Sequence, residues 1–543
     1  MTSRVHLTNS STPRRRLWLA CVFACLVGCR ALAADTAPVS DLDSYMAEAM
    51  RTFEVPGIAV AVVKDGEVVL TRGYGVRRAG EPAPVDAHTL FGIASNTKAF
   101  TAAALGILVD EGKIAWDDPV TKHLPWFQMY DPYVTREMTL RDLLCHRSGL
   151  GLGAGDLLFW PPSTFSRDEI LHGLRFIKPA HGFRSKFAYS NLMFVAAGQV
   201  VAAVTGSSWD DFVKQRIFGP LGMQSTQTSV KLFRAGDNVA TPHSKVEGHL
   251  QAIPFTAIDN SGPAGAINSN VSDMSRWVMT QLAAGRIPQS GDKRLFSERI
   301  SKEMWSAQTP LGVPDPPPGL EALRGNFSAY GLGWGLNEFR GHKVVSHTGG
   351  LPGFVSLVML IPDIQLGIVV LTNQEADGAF SAIGHRIADR YLGAPDTDWI
   401  AAYHKLDEKQ RADAAEKVAK RSASRNADSK PSLPVVKYAG RYRDPWYGEI
   451  TIAMERDTLV LRFNHTPALV ADMEHWQYDT FKARWRDRSL DADAFVTFAL
   501  SPDGTISQMK IVPISPLTDF SFDFQDLLFT PAVAAGAASA AHP

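Results

Sequence analysis

A serine and a lysine stand three residues apart at the start of a long apolar stretch, in the sequence Ser95-Asn96-Thr97-Lys98. The stretch is rich in alanine and leucine, lacks proline and stops at Gly112, which predicts a buried helix. Positions i and i+3 of a helix face the same way, so Lys98 would lie over Ser95 among apolar side chains. Burial lowers the pKa of a lysine, which can then accept a proton from a serine hydroxyl group. Taken alone, the stretch fits equally well a serine that caps the helix and a solvated lysine in its first turn.

A tyrosine and an asparagine, Tyr189 and Asn191, stand two residues apart just before a second apolar helical stretch. On a loop that enters a helix, both side chains can point into a cleft. There Tyr189 could exchange protons with Lys98, and Asn191 could hydrogen-bond a substrate amide. The alternative is a buried tyrosine with a satisfied hydroxyl group and an asparagine that caps the helix.

A β-rich run leads into His347, Thr348, Gly349 and Gly350. Glycines at this point let the backbone of a substrate approach the edge of a strand. The backbone amides of Ser95 and Gly350 could then form an oxyanion hole, a pair of donors for the oxygen that gains charge when a carbonyl is attacked. A simple glycine turn between strands is the alternative for the two glycines.

Strand signals at both ends of the first 395 residues provide the frame for these three stretches. Two β-rich runs around Asp65-Gly66 predict a hairpin, and three more runs between residues 343 and 372 are separated by short Gly, Pro and Asp turns. Successive short connections favour antiparallel pairing. Because a helical and loop-rich region fills the middle, we expect one antiparallel sheet closed by both ends of the domain, with a helical region beside it.

A second domain follows a change in sequence character near residue 435. A charged helical segment that fades into a Ser/Pro-rich stretch, residues 396–434, is interpreted as a linker after a first domain at 38–395. Short alternating strands with turn signals then predict a small all-β domain, a barrel or a sandwich, over 435–532. Residues 533–543 are low in complexity and are predicted to be disordered.

The composition argues against nucleic acid as the main partner. The chain has 543 residues, and its 55 Lys and Arg nearly balance its 56 Asp and Glu, whereas phosphate binding needs a basic surface. A hydrophobic content of 45% with 20% charged residues is typical of a soluble globular protein. The cysteines and histidines do not pair at zinc-site spacing, so neither a metal nor a cofactor is predicted. The oligomeric state remains unknown at this point.

The N-terminus has the pattern of an export signal. A basic run at Arg14–Arg16 precedes an apolar stretch and a small-residue cleavage site, so residues 1–33 are interpreted as a signal peptide. The sequence LVGC resembles the lipobox of bacterial lipoproteins, in which Cys29 would be lipidated. Two forms therefore stay open, a soluble exported protein, periplasmic or secreted, and a membrane-anchored lipoprotein. Three of the four cysteines lie in this signal, so the mature chain keeps Cys145 and cannot form an intramolecular disulfide.

In this order, the three stretches resemble the motifs of the serine β-lactamase and penicillin-binding-protein superfamily, which are S-x-x-K, then Y-x-N, then K/H-T-G. The chain resembles more closely the class C β-lactamase-related serine hydrolases, over roughly residues 40–395. Its C-terminal region looks like the small lipocalin-like domain appended to many of them. The resemblance implies an α+β fold, with an antiparallel sheet flanked by helices plus an all-helical lobe, followed by a small all-β barrel domain.

The resemblance also implies a reaction and a role for each motif residue. Ser95 is expected to attack a carbonyl group and become acylated, while Lys98 and Tyr189 share the general-base and general-acid roles. Asn191 is expected to orient the acyl side chain of the substrate. The further substrate-binding positions that the third motif implies are His347, Thr348 and Gly349.

The third motif departs from the usual pattern at its first residue. His347 stands where β-lactamases of this kind and penicillin-binding proteins usually carry a lysine, whose positive charge helps to hold a substrate carboxylate. Neutral histidine does this poorly at pH 7. Histidine occurs here in related peptidases and amidases, so we expect hydrolysis of a peptide or amide bond, ahead of an ester, in a small-molecule or peptide substrate.

Two other readings of the whole chain stay open. Within enzymes, the alternative is a true β-lactamase or a D-alanyl carboxypeptidase of the cell wall. The alternative of another class is a catalytically silent binding or sensor protein that keeps the fold. Intact Ser95, Lys98 and Tyr189 argue against a silent protein, because such a relative has no chemical reason to keep all three.

Overall fold

The computed structural model describes residues 41–288 and 290–532. The signal peptide predicted at 1–33, with Cys29, and the tail predicted at 533–543 lie outside these residues. Within the described part of the chain, no single helix is long and apolar enough to cross a membrane. The one helix pair that reaches this length and composition, Asn191–Thr205 with Trp209–Leu221, is bent by 79°.

An eight-stranded antiparallel sheet forms the centre of the first domain in the described residues. Its strands are β1 (Gly57–Lys64), β2 (Glu67–Gly75), β3 (Thr309–Pro310), β4 (Ser328–Tyr330), β5 (Gly335–Phe339), β6 (His342–Leu351), β7 (Phe354–Ile361) and β8 (Leu366–Thr372). Their order across the sheet is β2-β1-β8-β7-β6-β5-β4-β3. Strand β1 pairs with β8, so both ends of the domain close the sheet, which confirms the expected arrangement.

The predicted hairpin joins β1 to β2. Asp65 and Gly66 have φ angles of 53° and 81°. Two successive residues with positive φ form the two-residue turn whose twist matches that of the strands it joins. The prediction of a hairpin at Asp65-Gly66 is therefore confirmed.

Helices cover both faces of this sheet and form a separate lobe beside it. The helices of the described ranges are α1 (Leu42–Phe53), α2 (Thr97–Asp110), α3 (Val120–His123), α4 (Pro132–Glu137), α5 (Leu140–Leu143), α6 (Arg167–Gly173), α7 (Asn191–Thr205), α8 (Trp209–Val213), α9 (Gly219–Leu221), α10 (Gly262–Gly265), α11 (Val271–Leu282), α12 (Glu298–Met304), α13 (Asp377–Leu392) and α14 (Trp399–Ala423). Helix α11 packs against Gly367 of β8, and α13 packs against Leu357 of β7 on the opposite face. Residues Ile58 to Val63 of β1, which helices enclose on both sides, are consequently buried on both faces.

The helices α2 and α7 form the core of the helical lobe. Residues Thr97 to Leu108 of α2 are all buried, as its run of alanine and leucine predicts. The two helices pack against each other and against α10, where a side chain on Gly198 would collide with the ring of Pro263. Two short strand pairs complete the domain, Phe91–Gly92 with Asn268–Ser269 and His243–Val246 with His249–Ala252.

The C-terminal region forms a nearly closed eight-stranded antiparallel barrel in the described residues. Its strands are β9 (Gly440–Asp444), β10 (Gly448–Glu455), β11 (Thr458–Phe463), β12 (Val470–Gln477), β13 (Thr480–Trp485), β14 (Ala494–Leu500), β15 (Ile506–Pro513) and β16 (Thr530–Pro531). Backbone bonds between Met509 and Phe529 bring the two ends of the sheet together. Large buried rings such as those of Phe463 and Trp485 fill the interior, so this barrel is a packed core.

Candidate active site

Ser95 lies in a 3₁₀ turn, Ala94–Asn96, that continues directly into α2. Ala94 has a φ angle of 48°, in the left-handed region that alanine rarely adopts. Such strained residues concentrate at functional sites. Asn96 occupies the N-cap position of α2, and no side chain caps the helix there. The alternative in which Ser95 serves as a helix cap is therefore wrong.

Lys98 is fully buried beneath Ser95. Its Nζ donates hydrogen bonds to Ser95 Oγ at 3.0 Å, Asn191 Oδ1 at 2.7 Å and the backbone oxygen of Ala264 at 2.8 Å. Three acceptors match the three donors of an ammonium group. Burial lowers the pKa of Lys98 to about 7, and the nearby charge of Asp156 opposes this shift. The amine can consequently gain and lose a proton near neutral pH.

Tyr189 lies beside the Lys98 amine, on the side that faces the cavity. Lys98 Nζ lies 4.7 Å from the centre of the Tyr189 ring, and Tyr189 lines the cavity together with Ser95. Burial raises the pKa of Tyr189, and the nearby Ser95 side chain opposes the shift. The phenol is therefore protonated at neutral pH and can pass a proton only in exchange for another.

His146 holds Tyr189 in place from below. The two rings stack with their centres 4.2 Å apart, and His146 Nδ1 accepts a hydrogen bond from the Ser190 backbone at 3.0 Å. Burial holds the pKa of His146 well below its usual value, so the ring is neutral. No local signal in the sequence points to a histidine beneath the tyrosine.

Asn191, the first residue of α7, connects Lys98 to a buried carboxyl group. Its Oδ1 faces Lys98, and its Nδ2 donates to Asp156 Oδ2 at 2.8 Å. Asp156 is fully buried, and burial raises the pKa of Asp156 to about 7 against the effect of its hydrogen bonds. Asp156 follows a glycine-rich loop, and no pattern in the sequence marks it as part of the site. That Asn191 also orients a substrate stays a prediction.

Strand β6 brings the third motif to the other side of the cleft. A Cβ atom on Gly349 would stand 2.2 Å from the backbone oxygen of Ile93, so only glycine lets β6 lie this close to the turn that carries Ser95. A Cβ atom on Gly350 would meet open space. The backbone of β6 therefore lies against the turn that carries Ser95, as the glycines predict.

His347 makes two hydrogen bonds that fix its tautomer. Its Nδ1 donates to the backbone oxygen of Thr348 at 2.6 Å, so its Nε2 accepts from the Tyr330 hydroxyl group at 2.9 Å. Burial lowers the pKa of His347 to about 3, with a further contribution from Lys98. The ring is consequently neutral at pH 7, and it carries no charge with which to hold a carboxylate.

All the predicted site residues meet at one cavity of about 500 Å³. It is lined by Ser95, Tyr189, Asn191, His347, Thr348, Gly349 and Gly350, with Lys98 buried beneath. Asp377 lines it as well, as does a segment of the C-terminal barrel domain, Asp519 to Ser521. The sequence did not predict that this segment reaches the cavity. The arrangement can activate the Ser95 hydroxyl group, because the Lys98 amine lies within hydrogen-bond distance of it. That the backbone amides of Ser95 and Gly350 form an oxyanion hole stays a prediction.

Comparison with known proteins agrees with this architecture. The family model described as Beta-lactamase matches residues 42–391, and the one described as Domain of unknown function (DUF3471) matches 424–531. The Unguisins hydrolase ungD' of Aspergillus campestris is 30% identical over 498 residues, which cover 87% of this chain and 89% of that protein. Protein flp of Staphylococcus aureus is 26% identical over 354 residues, covering 63% of this chain and 65% of that protein.

Solved structures share the fold at lower sequence identity. The octameric penicillin-binding protein homologue from Pyrococcus abyssi superposes with a TM-score of 0.57 at 21% identity, over 90% of this chain and 99% of that chain. SurE superposes with a TM-score of 0.54 at 18% identity, over 91% of this chain and 99% of that chain. Both matches extend across the first domain and the C-terminal barrel.

Proposed function

The chain belongs to the Beta-lactamase family, and on this premise we propose that it is a serine hydrolase that acts through a covalent acyl-enzyme. The observation that carries the proposal is the 3.0 Å hydrogen bond between Lys98 Nζ and Ser95 Oγ, with Lys98 fully buried. Because burial lowers the pKa of Lys98 to about 7, its neutral amine can take the serine proton, which converts a weak nucleophile into a strong one.

The reaction proceeds in two halves. Ser95 Oγ forms a bond to the substrate carbonyl carbon while its proton moves to Lys98, and the amides of Ser95 and Gly350 hold the oxygen that becomes negative. The bond to the leaving group then breaks, and Lys98 returns a proton to it with the help of Tyr189. Water attacks the acyl-enzyme by the same route in reverse, which releases the acid and restores Ser95.

The electrostatics of the cavity disfavour a substrate that carries a carboxylate beside the reacting carbonyl. The preference for a peptide or amide bond over an ester rests on the resemblance to peptidases and amidases that have histidine at the position of His347. His347 is neutral, and none of the described residues that line the cavity is a lysine or an arginine. Asp377 and Asp519 line it instead. A β-lactam or a D-alanyl peptide would bring its carboxylate into this environment without a cationic partner. Hydrolysis of unguisins, which the name of one relative states for that protein, is compatible with this preference.

The first test is covalent labelling of Ser95. Intact mass after exposure to a fluorophosphonate probe should show a single adduct on the wild type and none on Ser95→Ala. Lys98→Met, which keeps the length of the side chain without its amine, should fold and label far more slowly. A folded wild type that a small probe never labels would refute the hydrolase and favour a binding or sensor protein.

Turnover of an amide, ester and β-lactam panel then separates the enzyme classes. We expect hydrolysis of small amides or peptides well above that of nitrocefin. Nitrocefin turnover equal to that of the amides would favour the alternative, a β-lactamase or a D-alanyl carboxypeptidase.

We propose further that the protein works outside the cytoplasm. The basic run and apolar stretch before residue 30 support export, and Cys29 in LVGC supports a lipid anchor. Fractionation of cells that express wild type and Cys29→Ser tests the anchor. Wild type in the membrane fraction and variant in the soluble fraction would support it, whereas a soluble wild type would refute it.

A further inference from the structure

A short segment of the barrel domain, residues 519–523, enters the active-site cavity; it is called the cleft segment below. It lies between β15 and β16. Within it, the Phe520 ring stands edge-on to the Tyr189 ring, with their centres 5.9 Å apart. On the facing loop, a Cβ atom on Gly153 would stand 2.7 Å from Phe520, and Gly153 has a φ angle of 67°. The helical lobe is therefore shaped to receive this segment.

Ser521 of the cleft segment begins a chain of hydrogen bonds that ends at the nucleophile. Ser521 Oγ donates to Asp156 Oδ2 at 2.8 Å, and the same oxygen accepts from Asn191 Nδ2 at 2.8 Å. Asn191 Oδ1 accepts from Lys98, which in turn reaches Ser95. Such a chain links two domains through groups 365 residues apart in sequence.

Water has little access to this chain. Ser521 is 7% exposed, Asn191 is 8% exposed, and both Asp156 and Lys98 are fully buried. In such surroundings a hydrogen bond is strong, and an unpaired polar group is costly. Loss of the Ser521 hydroxyl group would therefore alter the protonation of Asp156, since bulk water cannot readily replace the lost hydrogen bond.

Asp523 fixes the backbone on both sides of Asp156. Its carboxylate accepts hydrogen bonds from the backbone N–H groups of Gly155 at 2.5 Å and Leu157 at 3.1 Å. The cleft segment thus holds Asp156 by its side chain through Ser521 and by its neighbours through Asp523.

We propose that Asp156 and Ser521 are positioning residues of the active site, through which the barrel domain helps to orient Asn191 and Lys98. This inference rests on the proposed function, because it concerns the base that serves Ser95. It assigns the C-terminal domain a part in catalysis itself.

The charge on Asp156 gives the proposal a measurable consequence. The groups that face Lys98 are Asp156, neutral His146 and His347, and the Tyr189 phenol. Of these, the Asp156 carboxylate is the one that favours the ammonium form of Lys98. Removal of its charge should lower the pKa of Lys98 and let the amine act as a base at lower pH.

Ser521 acts on Lys98 through Asp156. The hydrogen bond from Ser521 lowers the pKa of Asp156, as does the one from Asn191. The other acidic groups that face Asp156 are Asp519 and Asp523, and both carboxyl groups have raised pKa values through burial. Without the Ser521 hydroxyl group, Asp156 should be protonated over a wider pH range. Ser521→Ala should therefore lower the pKa of Lys98, as Asp156→Asn does, but by a smaller amount.

The test is the pH dependence of fluorophosphonate labelling at Ser95 in the full-length protein. The labelling rate should fall on the acidic side of its pH profile, and we call this fall the acidic limb. The acidic limb should move to lower pH by about one unit in Asp156→Asn and by about half a unit in Ser521→Ala. The double variant should match Asp156→Asn, because Ser521 acts through Asp156. Ser507→Ala on β15, an exposed serine that bonds only Ala499 O and does not line the cavity, is the matched control and should not move the limb.

The outcomes separate this inference from the proposed function. A merely structural role would lower the melting temperature or the rate at every pH and leave the limb in place. An unmoved limb in Ser521→Ala, with Ser95 labelled normally in the wild type, would overturn the inference alone. So would a further shift when Ser521→Ala is added to Asp156→Asn. A wild type that is never labelled would overturn the proposed function, and the inference with it.

Discussion

The burial of Lys98 predicts a distinctive pH profile for the acylation of Ser95. With a pKa of about 7, Lys98 would be neutral in about a tenth of the molecules at pH 6, half at pH 7 and nine-tenths at pH 8. If the neutral amine is the base, the labelling rate should rise about fivefold from pH 6 to pH 7, less than twofold from pH 7 to pH 8, and then level off. A solvated lysine with the ordinary value of 10.5 would give about a tenfold rise for each pH unit throughout.

The assay is the second-order rate of fluorophosphonate labelling between pH 5.5 and 9, followed by intact mass. Spontaneous hydrolysis of the probe, measured at each pH without protein, is the control for the chemistry of the probe itself. Lys98→Met should label about 10² to 10⁴ times more slowly and should lose the inflection near pH 7. A wild-type rate that climbs tenfold per pH unit through pH 9 would refute the view that burial sets the base.

Four further predictions concern single groups. Tyr189→Phe should lower kcat by about 10² to 10⁴ with little change in Tm, because its hydroxyl group is beside Ser95 at the cavity; equal kcat values would exclude a role in proton transfer. His347→Lys should lose about 2 kcal/mol of stability in thermal unfolding, since an ammonium group cannot accept the hydrogen bond from the Tyr330 hydroxyl group, and should gain nitrocefin turnover, since the lysine supplies the cationic partner that the lining of the cavity lacks. Gly349→Ala should lose about 2 kcal/mol of unfolding free energy and so have a lower Tm, while Gly350→Ala, whose Cβ meets open space, should keep the wild-type Tm. Asp142→Asn should cost about 3 kcal/mol of unfolding free energy at pH 7 in urea unfolding, because buried Asp142 pairs with two arginines. Burial alone would raise the pKa of Asp142, but its hydrogen bonds hold that pKa below its usual value. The cost of the substitution should therefore shrink as pH falls below about 4, where the carboxylate of the wild type becomes protonated.

The contact between Ser95 and Lys98 could be predicted from the sequence because its geometry is local. Ser95 and Lys98 stand three residues apart, and helical geometry alone brings their side chains to one face. The alanine and leucine residues after Lys98 indicated its burial as one of two alternatives, and the structure confirms that one. The glycines after His347 similarly indicated a close approach of strand β6, which Gly349 makes against the backbone of Ile93.

The groups that tune this pair could not be predicted, because they depend on how distant parts pack. Asp156 meets Asn191 across 35 residues and Ser521 across 365, and none of the three has a sequence pattern that names its partner. Tyr330 and His347 lie on β4 and β6, which are separated by β5, so their hydrogen bond depends on the register of three strands. Alternating strands predicted a second domain, yet the docking of its cleft segment depends on surface shape that periodicity does not encode.

The surroundings of Lys98 combine two opposed effects, and their balance suits a group that must both take and return a proton. Full burial favours the neutral amine, while three hydrogen-bond acceptors and the charge of Asp156 favour the ammonium form. Burial alone would give a strong preference for the neutral state and a poor proton donor to the leaving group. A direct ion pair with Asp156 would give a permanent ammonium and no base. Asn191, placed between the two, keeps the carboxylate close enough to moderate the effect of burial and too far to cancel it.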